Sequence, residues 1–266
     1  MEDFLILFIS FIIIMGVVNI YKTKSSNVRY VKSNLYKDDN SEYLVRYDKG
    51  LPKPTDPLHN SQSGANAICY MRKNLIKLVA EVKKQRCSDE TTCTVDEEES
   101  VGEIPIKPEE IEMLINRFNP DNISESTPSD KYTSYSVNKG EKIIFCIREK
   151  SPGHEQFKII NVNTLMFVAI HELAHVMTKS IGHEPDFWNN MRYLLSVAIN
   201  TPAANNYNES CVFCDKIKKD NKDHKSDNKN NKQDMIYYYV DYNTKEASYC
   251  GTNITTTPCT NSKCTE

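Results

Sequence analysis

The 266-residue sequence predicts an α+β fold: a β-hairpin or small sheet beside an apolar central helix and a following helix, behind an N-terminal apolar segment. Three observations carry that expectation. Residues 132–137 and 142–148 are rich in aromatic and β-branched types, with Asn138, Lys139 and Gly140 between them as turn chemistry. Residues 163–199 show two helical periods separated by Gly182 and Pro185. Residues 4–21 are almost unbroken hydrocarbon.

That first segment is 18 residues long, roughly 27 Å as a helix and enough to span a bilayer. Glu2 and Asp3 precede it and no small-x-small cleavage site follows, so an uncleaved anchor is expected over a signal peptide. Lys22, Lys24, Arg29, Lys32 and Lys37 all lie after it. By the positive-inside tendency this makes a single-pass membrane protein, with the bilayer as a partner through residues 4–21 and the remaining chain in the cytosol.

Residues 22–41 are polar and basic, without strand or helix period, and read as a stalk; the domain is expected from 42 to 254. Residues 50–64 form a loop containing a solvated His59. Residues 65–82 place Ile68, Met71, Leu75, Leu78, Val79 and Val82 on one face of an amphipathic helix. Residues 87–100 are an acidic insertion. Pro108 opens a short helix to 118 with Ile111, Leu114, Ile115 and Phe118 inward. After a Pro/Asn/Ser-rich link comes the hairpin, whose second strand, 143–148, is either the rim of a substrate cleft or an ordinary interior strand. His154 reads as a surface loop residue.

The central helix begins with Asn163 or Thr164 as its cap. Leu165, Met166, Val168, Ala169, Ile170, Leu173, Ala174 and Val176 make it apolar on most sides, hence central. Gly182 is placed to end it. Within it stands His171-Glu172-Leu173-Ala174-His175. Residues four apart share a helical face, so both imidazoles can address one metal ion, while Glu172 sits about 100° round the helix and remains free to act on a water. The second helix starts near Pro185, with Phe187, Met191, Leu194, Leu195 and Ala198 on one face. His183, in the corner between the helices, is the candidate third ligand, with Glu184 or Asp186 as substitutes; three protein ligands and an open position suit catalytic zinc.

Past that helix, residues 211–234 are a Lys/Asn/Asp-rich insertion with a solvated His224, 235–242 suit one more strand, and Ser248 to Gly251 a tight turn. Residues 255–266 are a Cys/Thr-rich tail. Nine cysteines, with one C-x-x-C at Cys211 and Cys214, write no disulfide framework; free thiols are expected over disulfides or a second, structural metal. A net charge of −3 without a concentrated basic face gives no reason to expect a nucleic-acid partner.

His171-Glu-Leu-Ala-His175, Gly182-His183 and Phe187-Trp188 together resemble the single-domain zinc peptidases of the SprT, WLM and YgjP-like group, of the minigluzincin type. Tyr43-Leu-Val-Arg46, the run from Tyr135 to Glu141, and Tyr249-Cys-Gly251 extend the likeness to membrane-anchored metallopeptidases of large double-stranded DNA viruses. The resemblance implies a zincin-like core, a zinc metalloendopeptidase acting on protein or peptide substrates, and a host or virion membrane location. Two residues more separate His175 from His183 than in the usual WLM pattern.

The expected mechanism gives His171, His175 and His183 to Zn²⁺ and makes Glu172 the general base. An oxyanion donor is also needed, which Tyr249, Tyr135 or another of the fifteen tyrosines would supply. The rival functions are a non-catalytic, zinc-stabilised membrane adaptor and a protease acting on DNA-bound proteins.

Overall fold

The computed structural model describes residues 8, 28–47, 60–87, 106–127, 133–150, 158–201 and 248–254. Strands β1 (Val28–Lys32) and β2 (Glu42–Arg46) pair antiparallel, Tyr30 opposite Leu44. The segment read as a stalk therefore carries the first strand of the fold. Arg29, Tyr30 and Lys32 are exposed while Val28 and Val31 are half-buried, and the connection to β2 buries Leu35 and Tyr36.

Helix α1 (Ser61–Arg86) is longer than its apolar face suggested. The Asn60 side chain starts it by accepting the Ser63 N–H at 2.8 Å. Helix α2 (Pro108–Arg117) has Pro in its first turn and Glu110 turned back to the Lys107 N–H at 3.2 Å. A short 3₁₀ turn, Pro120–Asn122, leads into β3 (Ile123–Glu125), then β4 (Tyr135–Val137) and β5 (Lys142–Phe145). The sheet order is β3-β5-β4, with β3 parallel and β4 antiparallel to β5. The hairpin is thus present, Tyr135 facing Ile144. Its second strand is the interior one, covered on both edges, so the rim reading of 143–148 is corrected in favour of β4.

Turn residues Asn138 and Lys139 have φ of 47° and 57°, and Gly140 has φ of 113°. A Cβ on Gly140 would stand 2.7 Å from the Arg117 carbonyl oxygen and 2.9 Å from Val176 Cγ1. The turn is therefore pressed between the ends of two helices. Gly140→Ala should lower unfolding free energy by about 2–3 kcal/mol, combining a strained φ with overpacking; a loss below about 0.5 kcal/mol in chemical denaturation would refute that close approach.

Helix α3 (Val162–Met177) is buried nearly throughout, as its composition required. The cap is Asn161, whose side chain accepts the Asn163 N–H at 2.8 Å, earlier than either Asn163 or Thr164. The helix also stops before Gly182: Thr178 folds its hydroxyl onto the Ala174 carbonyl at 2.7 Å, and Lys139 Nζ donates to the carbonyls of Thr178 and Ser180. Gly182, at φ 86°, serves the following loop instead. Helix α4 (Pro185–Asn200) then packs back along α3. The hairpin β6 (Ser248–Tyr249) and β7 (Thr252–Asn253), closed by Cys250 and Gly251 at φ 53° and 81°, returns to the domain.

The spanning helix expected over residues 4–21 is corrected. Among the described residues no helix is long and apolar enough to cross a membrane. The longest, α1, carries Arg72, Lys73, Lys77, Lys83, Lys84 and Arg86; the most apolar, α3, has 16 residues, about 24 Å against a hydrocarbon core near 30 Å. Apart from Phe8, residues 4–21 lie outside the described residues. The single-pass membrane location, the cytosolic side assigned from flanking charge, the bilayer partner and the membrane-anchored form of the function are withdrawn with the span. His59, His154, His224, the two insertions at 87–100 and 211–234 (Cys87 apart), the strand expected over 235–242 and the tail at 255–266 also lie outside the described residues.

The free-thiol expectation is corrected too. Cys146 and Cys250 form a disulfide across 104 residues, and Cys87 is disulfide-bonded as well; Cys69 is free and buried.

Candidate metal centre and cleft

His171 and His175 fall one helical turn apart on the face of α3 that looks out of the core, the rest of the helix being buried and mostly aliphatic. The loop from 178 to 184 brings His183 across to them. Lys139 draws in the carbonyls of this loop from the β4–β5 turn, and Ser180 donates to Asp186 at 2.7 Å from the other side. The ligand nitrogens of all three histidines lie within 4.8 Å of one another, and His183 Nε2 is 3.1 Å from His171 Nε2. Asp186 is occupied with Ser180 and the Phe187 N–H, and Glu184 opens α4; neither substitute is in the cluster.

Phe187 forms the floor. Its ring centroid is 4.9 Å from that of His171, 4.3 Å from His175 and 4.6 Å from His183, and Phe187 itself is fully buried. The aromatic residue four positions after the third histidine is thus the side chain on which the three rings rest.

Desolvation favours the neutral form of all three imidazoles, most at His171 and His175. Desolvation, then the neighbouring His175 and His183, pushes His171 down to about 3; desolvation, then His183 and Lys139, pushes His175 down to about 4; desolvation lowers His183. Neutral imidazole with a free lone pair is the ligand form. A set of three nitrogens without a thiolate leaves a divalent ion its full charge, the donor chemistry of catalytic zinc. The residues present therefore fit zinc.

The Glu172 carboxyl meets the Ser136 N–H of β4 in the same cavity as the histidines. Glu172 is 4 % exposed, and desolvation pushes its carboxyl up to about 8 against the opposing effect of the Ser136 N–H. Histidines and Glu172 share one cavity of about 700 Å³. Its other wall is β4 with Ser134, Tyr135, Ser136 and Lys139, closed by Tyr249 from the β6–β7 hairpin and exposed Ile181 at the rim. The tight turn expected at 248–251 does bring its phenol back to the domain. Ser134, Ser136 and Lys139 were not foreseen: Ser136 acts through its backbone, which leaves no mark in sequence, while Lys139 sat in plain view as a turn residue.

No family model and no solved structure matches this chain. Among curated proteins it is similar to the uncharacterized protein R325 of Acanthamoeba polyphaga mimivirus, 28 % identical over 141 residues, 53 % of each chain. It is also similar to the uncharacterized protein 136R of Invertebrate iridescent virus 6, 35 % identical over 65 residues, 24 % of this chain and 35 % of the relative. The uncharacterized protein 042R of Invertebrate iridescent virus 3 is 45 % identical over 67 residues, 25 % of this chain and 38 % of the relative. The chain spans about half the length of the first of these relatives and little more than a third of the other two.

Proposed function

We propose that this chain is a zinc-dependent metalloendopeptidase, with His171, His175 and His183 as the metal ligands and Glu172 as the general base. The observation that supports it most is the meeting of three neutral imidazoles within 4.8 Å at one end of a cavity that also holds a buried carboxylate. The resemblance of the histidine motif to the SprT, WLM and YgjP-like peptidases points the same way.

Zinc there would lower the pKa of a water and polarise a carbonyl. The chain's own residues do the rest. Glu172 accepts a proton from the attacking water and delivers it to the leaving amine nitrogen, a shuttle for which a carboxyl pushed toward neutrality is suited. The Ser136 N–H holds that carboxyl in place. Among the described residues β4 is an edge strand of its sheet, pairing with β5, and it lines the cavity wall. An extended peptide can add to such an edge through backbone hydrogen bonds, which favours protein or peptide as the substrate.

The test is metal content by mass spectrometry, run on the full chain and His183→Ala alongside a labelled-casein assay. The wild type should carry about one zinc per chain and digest casein; His183→Ala should lose the metal and the digestion while keeping its far-ultraviolet circular dichroism. A wild type with no zinc, or a His183→Ala protein that binds it equally tightly, would overturn the ligand set.

A further inference from the structure

Tyr249 is 4 % exposed, yet its side chain belongs to the cavity wall with His171, Glu172, His175 and His183. It arrives from the far end of the chain on β6. Its hydroxyl is hydrogen-bonded to Ser134 Oγ, and the Cys146 N–H donates to that same Oγ at 3.0 Å while also reaching the phenol. Cys146 is in turn disulfide-bonded to Cys250, the residue next to Tyr249. The phenol is therefore fixed twice over: by a hydrogen-bond chain that starts at the Cys146 backbone, and by a covalent link that returns to the same residue.

The polarity of that chain matters. Ser134 Oγ accepts the Cys146 N–H, and between Ser134 and Tyr249 either hydroxyl can be the donor; the arrangement that serves the cavity has the Ser134 proton on Tyr249 Oη. A phenol oxygen that accepts from its neighbours keeps its own proton to give, and the cavity is the space left for it. For packing alone a phenylalanine would fill the same volume without a hydroxyl to desolvate.

We propose that Tyr249 is a catalytic residue that donates a hydrogen bond to the oxyanion developing on the scissile carbonyl, with Ser134 and the Cys146–Cys250 disulfide as its positioning elements. This rests on the peptidase reading above. No covalent bond to Tyr249 forms or breaks; its proton is shared with the carbonyl oxygen in the transition state and recovered when the leaving amine departs. A donor aimed at charge that appears only in the transition state acts on kcat, not on substrate affinity.

The experiment compares zinc-loaded full-length wild type, Tyr249→Phe and Ser134→Ala. It reads metal content, kcat and KM on labelled casein, and calorimetric affinity for a phosphonate peptide, a tetrahedral mimic, against a plain product peptide. Tyr249→Phe should keep zinc, melting temperature and KM, lose about 10²–10³-fold in kcat and weaken the phosphonate by a similar factor. Its affinity for the product peptide should not change. Ser134→Ala should show the same pattern at about 10-fold, and it carries the test should Tyr249→Phe melt early. A wild type that cleaves casein while Tyr249→Phe matches it in kcat and phosphonate affinity overturns the role of Tyr249 alone, as does a loss confined to KM. A zinc-loaded wild type that neither cleaves nor binds the phosphonate overturns the peptidase reading and this inference together.

Discussion

Glu172→Gln should leave zinc content and fold intact and lower kcat on casein by about 10³-fold, within the range for losing a positioned general base. The substitution is nearly silent structurally for a specific reason. Glu172 is buried in the cavity wall and Gln matches it in shape, so the packing around it is kept. The Ser136 N–H that holds the carboxylate finds an amide oxygen in its place. What Gln lacks is a site for the proton of the attacking water. Loss should fall on kcat and kcat/KM alike, since a proton in transfer is a feature of the transition state. Normal casein turnover by Glu172→Gln with one zinc bound would remove Glu172 from the mechanism; loss of the metal would show that it acts on the cluster instead.

The two clustered histidines of α3 were legible because helical spacing alone puts them on one face, and the third because Gly182 and Pro185 bracket a short loop that has to turn. Position in the loop was harder. Nothing local shows that Thr178 would end the helix by bonding the Ala174 carbonyl, or that Lys139, about forty residues earlier, would gather the loop's carbonyls. Contacts of that range have no period to betray them.

The cleft wall was half legible. Aromatic and β-branched content marked both strands of the hairpin, but which one is the edge depends on β3, three residues hidden in a Pro- and Asn-rich link and paired parallel to β5. The N-terminal reading failed for a related reason. Val28–Lys32 is too polar to look like a strand, because it lies in a two-stranded sheet with only Val28 and Val31 partly buried. Partial burial at two positions of a five-residue strand leaves no alternation to read. The disulfide of Cys146 and Cys250 was likewise out of reach, since pairing across 104 residues is set by the fold and not by spacing.

The largest stability effect belongs to a residue with no place in the chemistry. Arg148 and Glu125 are each 1 % exposed and meet at 2.6 Å, Arg148 Nε donating to Glu125 Oε1. Glu125 Oε2 accepts the Arg46 N–H at 2.9 Å, and Arg148 Nη2 donates to the Asn60 carbonyl at 3.0 Å. One ion pair thereby joins β2, β3, the exit of β5 and the start of α1. Helix α1 comes this close because residue 64 is glycine: a Cβ there would stand 2.5 Å from Arg148 Nη2 and 3.1 Å from Glu125 Oε2. Arg148→Met leaves a carboxylate buried without its cation, and should cost about 3–5 kcal/mol, or roughly 6–20 °C in melting temperature for a domain of this size. Adding Glu125→Gln removes the stranded charge while keeping an acceptor for the Arg46 N–H, so the double variant should be more stable than Arg148→Met alone. The order is the sensitive part. If the pair held the domain together mainly by attraction, the double variant would be no better than the single one; if burying the charges is the dominant cost, recovery follows once both are gone. Thermal unfolding of the wild type, the two single variants and the double variant decides between them, and an Arg148→Met protein within about 1 kcal/mol of wild type would show the pair to be dispensable.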